Sequence, residues 1–226
     1  MTDLIENAVA RDNWPFNSNN SRKTASKGGS VYFASKRIFD VFVSCAAVPV
    51  FLVLCVVITV LNFFWNPGPL FFRQVRMGKD QHKYKMIKFR TMLPEDNSVK
   101  QRDAFDKLEK WRITPFGRWM RQTRMDEVPQ ILNVIMGQMS LIGPRPEIFK
   151  FAETYYKEIP GYHVRGTVRP GITGYAQVTQ GYTDCKEAVR VKTELDTFYV
   201  QNMNWWLDLK VLFGTFRVVL TSDGAR

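Results

Sequence analysis

The sequence predicts an α+β protein in which a re-entrant helix-break-helix hairpin in the membrane joins a compact cytosolic domain of short amphipathic helices and a small β-hairpin. Three observations support this fold class. Residues 41–61 form an uncharged apolar run, and basic residues lie on both sides of it. The remaining chain is polar, with short periodic segments separated by Gly and Pro, which is typical of a small mixed domain.

The chain divides into three predicted regions. Residues 1–34 are rich in Asn, Ser, Gly and Lys, so they bury little apolar surface and are predicted to form a disordered tail. Residues 35–65 contain the membrane hairpin. Residues 66–226 form the cytosolic domain, which ends in an amphipathic helix.

The apolar run is long enough to cross the roughly 30 Å hydrocarbon layer as a helix. Two observations favour a path that enters and leaves by the same face. Pro49 lies inside the run and removes a backbone hydrogen bond, which favours a break there. Both flanks carry the positive charge typical of the cytoplasmic side: Lys36 and Arg37 before the run, and Arg73, Arg76, Lys79, Lys83, Lys85, Lys88 and Arg90 after it. A single spanning helix is the alternative, because such helices also tolerate proline.

The net charge and the small numbers of cysteine and histidine narrow the possible classes of function. The net charge of +11 indicates an anionic partner: nucleic acid, phospholipid headgroups or a phosphorylated substrate. Nucleic acid is not expected, because the basic residues flank the apolar run and no nucleic-acid motif is present. Three cysteines and two distant histidines argue against a disulfide framework, a zinc cluster or a Ser-His-Asp triad.

A β-hairpin is predicted after the apolar run. Residues 70–77 and 82–92 are two strand-like runs separated by the polar segment "GKDQ". Basic residues alternate with apolar ones along both runs, which places Arg73, Arg76, Lys88 and Arg90 near a membrane face or an anionic ligand; a solvated face is the alternative. Residues 100–111, where charges alternate with Phe105 and Leu108, predict a short amphipathic helix.

Two short helices are predicted next. Thr114 before Pro115 is an N-cap signal, and the helix that follows carries Arg118, Arg121 and Arg124 at three-residue spacing. Asp126 is predicted to cap a second helix, whose apolar face ends at Gly137.

The acidic pair Asp126 and Glu127 has two interpretations. The pair is explained by a helix cap and by the positive end of the helix. The functional alternative is that a helix N-terminus keeps Asp126 ionised, and an ionised carboxylate can attack phosphorus when arginine or Mg²⁺ neutralises the phosphate oxygens. Arg121 and Arg145, which lies between two prolines in "GPRPE", are the candidate arginines.

The end of the chain predicts a strongly amphipathic helix. Its apolar residues recur at helical spacing, and Asp208, Lys210 and Arg217 are placed on the other side. The apolar residues are Trp205, Trp206, Leu209, Leu212, Phe213, Phe216, Val219 and Leu220. This helix either packs on the protein core or lies in the headgroup layer of a membrane.

The ordered set of motifs resembles a known family. "KRIFD" before the apolar run, "GPLFFRQVRMG", "KFRTM", "RITPFGRWMRQTRMDEVPQILNVIMGQMSLIGPRPE", "RPGITGYAQV" and "LDTFYVQNMNWWLDLK" occur in the order found in the bacterial sugar transferases, the monotopic phosphoglycosyl transferases. The resemblance covers residues 35–214.

This resemblance implies a reaction in two halves. Asp126 matches the family's nucleophilic aspartate, and Glu127 matches its partner in the acidic dyad. Asp126 would attack the β-phosphorus of a UDP-sugar and release UMP, and undecaprenyl phosphate would then take the sugar phosphate from the enzyme. Residues 66–226 would be the catalytic domain, and the reaction would be the first step of exopolysaccharide repeat-unit assembly.

The resemblance also implies a ligand set. Arg121 and Arg145 match arginines assigned to the nucleotide diphosphate or the polyprenol phosphate, and we add Lys88 and Arg90 as predicted phosphate-binding residues. Mg²⁺ is the implied cofactor and would lie against Asp126 and the donor diphosphate. The implied location is monotopic, on the cytoplasmic face of the inner membrane, in contact with lipid.

Some positions depart from the family pattern. Val48 stands where a serine commonly precedes the proline at the break, here Pro49, and "QVTQGYTD" replaces the usual residues of a later loop. The sugar is expected to be glucose or galactose, carried by UDP. A homodimer is a further expectation, and a catalytically inactive membrane adaptor of a polysaccharide machine is the alternative function.

Overall fold

The computed structural model describes residues 29–93, 103, 110–180 and 186–221. Its helices are α1 (Ser30–Trp65), α2 (Pro115–Gln122), α3 (Gln130–Ile135), α4 (Phe149–Glu158), α5 (Tyr175–Thr179), α6 (Lys186–Gln201) and α7 (Trp205–Thr221). Its strands are β1 (Phe71–Met77), β2 (Lys83–Phe89), β3 (Ser140–Ile142) and β4 (Gly171–Thr173). Four 3₁₀ helices cover Lys79–Gln81, Lys110–Arg112, Met125–Glu127 and Tyr162–Thr167. The prediction of a mixed fold of helices and small sheets is confirmed.

Two predicted elements fall largely on undescribed residues. Most of the predicted tail, residues 1–28, lies outside the described residues, and α1 begins at Ser30, before the predicted boundary at 35. Most of the amphipathic helix predicted over residues 100–111 also lies outside them.

Helix α1 is the one helix in the described part of the chain that is long and apolar enough to cross a membrane. Its helical assignment continues through Pro49, and the re-entrant path stays a prediction. One stripe of the helix is buried, at intervals of four or seven residues: Tyr32, Lys36, Asp40, Ser44, Phe51, Ile58 and Asn62. These intervals return to the same helical face, so α1 contacts the domain along nearly its whole length.

The first turns of α1 are fixed by buried polar bonds. Lys36 Nζ and the Tyr32 hydroxyl each lie 2.8 Å from Asp208 Oδ2, and the Tyr199 hydroxyl donates to Asp208 Oδ1 over 2.6 Å. Asp40 accepts hydrogen bonds from Ser140 Oγ and the Leu141 amide. The prediction that Asp208 lies on the polar side of α7 is therefore wrong, because the partners supplied by α1 and α6 compensate for its burial.

The later part of α1 packs against the β-hairpin. Strands β1 and β2 pair antiparallel with Phe71 opposite Phe89, which confirms the predicted hairpin. The ring of Phe51 lies 6.2 Å from the ring of Phe89, and Phe89 stacks on Phe71 at 5.5 Å. This aromatic cluster fixes β2, the strand that carries Lys88, relative to α1.

A second small sheet, which the sequence did not predict, holds the "GPRPE" segment. Strands β3 and β4 pair in parallel, with Ser140 opposite Gly171. The backbones then approach so closely that a Cβ atom on Gly171 would lie 2.1 Å from the amide nitrogen of Gly143. Only glycine fits there, and the contact fixes the chain just before Arg145.

Helix α7 packs on the domain, which was one of its two predicted positions, and its place in a headgroup layer stays a prediction. Leu207 and Val211 are buried in the core formed with α6, whereas the side chains of Trp206, Phe213 and Phe216 are more than half exposed. The helix therefore packs on the domain and also presents an apolar surface.

Candidate active site

The acidic pair lies between α2 and α3. Thr114 caps α2 as predicted, since its Oγ1 accepts a hydrogen bond from the Gly117 amide over 2.9 Å. Asp126 does not cap α3, so that prediction is wrong. Asp126 and Glu127 belong to the 3₁₀ helix, and α3 begins after Pro129 with no side-chain cap.

The backbone of Arg124 explains this departure. Arg124 has φ of 58° and ψ of 12°, a left-handed conformation that non-glycine residues rarely adopt. It redirects the chain directly after α2, so that both Asp126 and Glu127 are buried. Burial of two adjacent carboxylates requires cations nearby, because an unpaired buried charge is very unfavourable.

Glu127 receives these cations. Its Oε1 lies 2.7 Å from Lys88 Nζ and 2.6 Å from Arg145 Nη2, and Arg145 Nη1 lies 3.5 Å from Oε2. Burial acts to raise the pKa of Glu127, but Arg145 and Lys88 outweigh it and hold this pKa well below its usual range. Glu127 is therefore an ionised, firmly paired carboxylate.

Asp126 is held more loosely. Lys88 Nζ lies 3.9 Å from its Oδ2, which is an ion-pair distance and not a hydrogen bond. Burial raises the pKa of Asp126 and the charge of Glu127 adds to the rise, while Lys88 and Arg121 oppose it. Two neighbouring carboxylates thus have pKa values shifted in opposite directions, a pattern associated with different chemical roles.

Two of the predicted phosphate-binding residues contact this pair directly. Lys88 and Arg145 make the contacts given above. Arg121 acts on Asp126 electrostatically and donates from Nε to Thr91 Oγ1 over 2.9 Å. We call Lys88, Arg121, Asp126, Glu127 and Arg145 the acidic-pair cluster.

Arg90 lies elsewhere. Its guanidinium donates to the carbonyl oxygens of residues 66, 67 and 69, which follow α1, and to that of Met92. Through these hydrogen bonds, Arg90 stabilises the connection between α1 and β1. A role for Arg90 in phosphate binding stays a prediction, and we do not include it in the cluster.

Arg145 is positioned by Arg165, which the sequence analysis did not single out, and by Arg76, which it placed near a membrane face or an anionic ligand. Arg165 donates to the carbonyl oxygen of Arg145 over 2.6 Å, and Arg76 donates to that of Pro146 over 2.9 Å. Buried Arg165 and half-buried Arg76 thus hold two successive carbonyl groups of the "GPRPE" segment. No spacing signal links residues 76, 145 and 165, so only the folded chain reveals this arrangement.

A second group of buried charges continues from this clamp. Glu147 pairs with Lys192, and Arg165 lies 3.8 Å from Glu147 and 2.9 Å from Asp196. We call Glu147, Arg165, Lys192 and Asp196 the supporting cluster. Burial acts to raise the pKa of Glu147, but Lys192 and Arg165 outweigh it and lower this pKa to about 2.

Comparison with known proteins decides the family. The sequence model of the family described as "Bacterial sugar transferase" matches residues 31–222. The chain belongs to the bacterial sugar transferase family. The acidic-pair cluster lies inside the matched residues.

Several relatives of this bacterial sugar transferase have descriptive names. The "UDP-N-acetylgalactosamine-undecaprenyl-phosphate N-acetylgalactosaminephosphotransferase" of Aeromonas hydrophila is 41% identical over 87% of the chain and 46% of that protein. The "UDP-glucose:undecaprenyl-phosphate glucose-1-phosphate transferase" of Klebsiella pneumoniae is 39% identical over 80% of the chain and 39% of that protein. The chain therefore spans less than half the length of these two relatives.

A relative of similar length also matches. The "Exopolysaccharide production protein PSS" of Rhizobium leguminosarum bv. phaseoli is 37% identical over 82% of the chain and 95% of that protein.

The donor set of this bacterial sugar transferase is compatible with Mg²⁺. Mg²⁺ in phosphate-transferring sites takes one or two carboxylates and completes its shell with substrate phosphates and water. In the described part of the chain no group of three or more His, Cys, Asp or Glu side chains is suited to hold a metal ion alone. Both oxygens of Glu127 already contact cations, so Asp126 is the carboxylate that would hold Mg²⁺ together with a substrate diphosphate.

Proposed function

We propose that the protein is a phosphoglycosyl transferase that moves a hexose-1-phosphate from a UDP-sugar to undecaprenyl phosphate and releases UMP. One observation carries the proposal: a buried carboxylate, Asp126, lies beside a second carboxylate whose charge is neutralised by Lys88 and Arg145. The family and the names of the relatives support the class of reaction.

In the first step, an oxygen of ionised Asp126 forms a bond to the β-phosphorus of the UDP-sugar. The bond from that phosphorus to the oxygen bridging to the α-phosphate breaks, and the bridging oxygen leaves with UMP. The sugar phosphate is then attached to Asp126 as an acyl phosphate. An aspartyl-phosphate of this kind divides one difficult transfer into two easier displacements.

In the second step, a phosphate oxygen of undecaprenyl phosphate attacks the same phosphorus. The bond to Asp126 breaks, which regenerates the carboxylate and forms the polyprenyl diphosphate sugar. Donor and acceptor therefore act in turn, as in a ping-pong mechanism. The raised pKa of Asp126, caused mainly by burial, makes the poorly solvated carboxylate a stronger nucleophile once it is ionised.

The cations around the pair have separate roles. Arg121 and Arg145 are assigned to the phosphate oxygens, whose charge they neutralise during transfer. Lys88 lies between the two carboxylates, 2.7 Å from Glu127 and 3.9 Å from Asp126, and keeps Asp126 ionised. Glu127 holds Lys88 and Arg145 in place and does not itself react.

Mg²⁺ bound at Asp126 would supply further neutralisation of the donor diphosphate. We assign UDP-glucose or UDP-galactose as donor and place the reaction at the start of exopolysaccharide assembly. The name of the Rhizobium relative supports this placement.

The membrane arrangement is part of the proposal. We propose that α1 enters and leaves by the cytoplasmic face with its bend at Pro49, so that the protein is monotopic. The exposed residues Trp206, Phe213 and Phe216 of α7 would lie in the headgroup layer beside it. Such a position brings the acidic pair near the level at which a polyprenol presents its phosphate. A homodimer is compatible with the exposed apolar surface.

The mechanism is tested by isotope exchange without acceptor. Purified protein is incubated with UDP-glucose or UDP-galactose, Mg²⁺ and radiolabelled UMP, and label entering the UDP-sugar is measured. A ping-pong enzyme exchanges label without undecaprenyl phosphate, and digestion of the trapped intermediate should locate the phosphosugar on Asp126. Exchange that requires the acceptor would contradict the two-step mechanism, and no UMP release from a panel of UDP-sugars would favour the inactive adaptor.

A further inference from the structure

A cleft of about 280 Å³ lies away from the acidic pair, between the start of α1 and the segment 167–169. Four cationic residues line it: Lys36, Arg37, Lys79 and Arg169. Asp40 is the one carboxylate among its described lining residues, and its oxygens accept the hydrogen bonds from Ser140 and Leu141 given above. Lys36 is paired with Asp208, so the excess of positive charge in the cleft comes from Arg37, Lys79 and Arg169.

The guanidinium groups of Arg37 and Arg169 are held in the cleft by hydrogen bonds to backbone carbonyl oxygens. Arg37 donates to the carbonyl oxygens of Val134 and Ile135 over 2.8 and 3.2 Å, and Arg169 donates from Nε to that of Gly137 over 2.9 Å. Carbonyl oxygens orient the arginines but carry no formal charge, and Arg37 and Arg169 repel each other. Among the described residues, the terminal nitrogens of Arg169 have no hydrogen-bond partner, so they remain available to an anion.

The same cleft has an apolar side. Phe33 and Met203 line it, and nearby on α1 the ring of Phe39 lies 5.5 Å from the ring of Trp205 at the start of α7. Trp206 is two-thirds exposed, and the exposed apolar surface continues along α1. A ligand with a phosphate head and an apolar tail fits both sides, whereas a free nucleotide or phosphate fits only the cationic side.

The cleft is distinct from the candidate active site. Arg37 and Arg169 bind carbonyl groups at the carboxyl end of α3, whereas the acidic pair precedes its first residue. Ile135 is eight positions after Glu127, which corresponds to about 12 Å at the rise of an α-helix. None of the lining residues is a described partner of Asp126 or Glu127.

We propose that this cleft binds the headgroup of an anionic phospholipid, with the phosphate against Arg37 and Arg169 and the acyl chains against Phe33 and the aromatic residues beside it. Lys79, at the tip of the β-hairpin, contributes a further positive charge. A lipid bound there would stabilise the junction of α1, α3 and α7 in the membrane. The inference does not depend on the proposed reaction.

Native mass spectrometry of the full chain tests this site. The protein is released from micelles containing equal amounts of phosphatidylglycerol and phosphatidylcholine, and retained lipids are identified. Wild type should retain one phosphatidylglycerol in preference to phosphatidylcholine. Arg169→Gln should retain roughly tenfold less, since it removes charged donors to the phosphate. Lys79→Gln, a change at an exposed residue, should give a smaller loss in the same direction.

The matched control is Arg190→Gln. The substitution removes the same charge as Arg169→Gln. Arg190 is exposed on α6, forms an ion pair with Glu194 and does not line the cleft. Its lipid retention should equal that of wild type, and Asp126→Asn should also retain the lipid. Equal losses in Arg169→Gln and Arg190→Gln, or equal retention of both lipids by wild type, would overturn the proposal. Displacement of the lipid by millimolar inorganic phosphate would reassign the cleft to a soluble anion.

Discussion

The acidic-pair cluster and the supporting cluster are adjacent buried groups of charges, but they pair their carboxylates differently. In the supporting cluster, Glu147 contacts Lys192 and Arg165, and its pKa falls to about 2. In the acidic-pair cluster, Glu127 has such close partners, whereas the nearest cation to Asp126 among the described residues, Lys88, lies 3.9 Å away. Burial raises the pKa of Asp126, as it does that of Asp196 in the supporting cluster, so the distance to the cation is what distinguishes Asp126. Arg145 connects the two clusters, because its side chain contacts Glu127 and its carbonyl oxygen accepts a hydrogen bond from Arg165 of the supporting cluster.

This difference indicates that Asp126 is suited to react and that Glu147 stabilises the fold. A carboxylate whose oxygens are engaged by cations at hydrogen-bond distance is stabilised as an anion and is a poor nucleophile. A buried carboxylate whose nearest cation among the described residues lies 3.9 Å away keeps an oxygen available for another bond. Substitutions of Asp126 are therefore predicted to reduce activity with little loss of stability. Substitutions of Glu147 are predicted to reduce stability with little direct effect on activity.

The largest effect is expected for Asp126→Asn. The amide keeps the shape but cannot form the bond to phosphorus, so UMP release should fall by about a thousandfold or more. The melting temperature in detergent should stay the same or rise slightly, because the raised pKa means that folding disfavours the charged carboxylate. Assays of UMP release and of thermal unfolding measure both. Wild-type activity in this variant would remove Asp126 as the nucleophile.

The next effect is expected for Glu147→Gln, which leaves Lys192 without its ion-pair partner and leaves Arg165 with Asp196 alone. Loss of one partner of a buried ion pair typically costs about 3 to 5 kcal/mol. Thermal or denaturant unfolding should show this loss. Lys192→Met in the same background is the control, since removing the second charge should restore part of the stability.

The pH dependence of stability follows from the same carboxylate. Its pKa is lowered from 4.5 to about 2 on folding, so its stabilisation is complete above pH 4.5 and is lost as pH falls towards 2. The loss corresponds to about 3 kcal/mol. Unfolding measured across this window should show a decline in wild type that is reduced in Glu147→Gln. An equal decline in both would contradict the assignment.

A smaller effect is expected for Arg145→Lys. Lysine keeps the charge but cannot hold Glu127 through two nitrogens, so we expect roughly a tenfold loss of turnover with little change in unfolding. Arg165→Lys is the comparison variant, because it acts on Arg145 only through the backbone carbonyl and on Asp196. A loss of stability in Arg145→Lys as large as that in Arg165→Lys would show that Arg145 is structural.

The smallest effect concerns the acid limb of the pH–rate profile. Asp126 must be ionised to react, and its pKa is raised by burial, so UMP release should fall at a higher pH than for an ordinary aspartate. Lys88 opposes that rise. Lys88→Met should therefore move the acid limb to still higher pH in the UMP exchange assay. A limb that stays in place would show that Lys88 does not act on Asp126.

The sequence identified several elements correctly for local reasons. The β-hairpin follows from two alternating runs around a turn, and α2 follows from Thr114 and Pro115. The end of α3 follows from Gly137, which has φ of +81°. The apolar run predicted the long helix α1, and the ordered motifs predicted the family.

The same local rules failed at Asp126, because of the backbone just before it, and at Asp208, because of distant residues. An aspartate before a helix predicts a cap, yet the left-handed Arg124 redirects Asp126 away from α3. Asp208 in a polar position predicts exposure, yet Lys36 and two tyrosine hydroxyls bury it.

The sequence by itself therefore determined the secondary structure signals, the apolar helix and the residue types at the acidic pair, because these depend on neighbours within a few positions. Only the tertiary structure decided which carboxylate is hydrogen-bonded to cations and which has its cation at 3.9 Å. That outcome depends on burial, on Lys88 of β2 and Arg145 of the "GPRPE" segment, which lie within 4 Å of the pair, and on the charge of Arg121 in α2. Electrostatic energies vary with distance and solvent exposure, and neither is encoded by spacing along the chain.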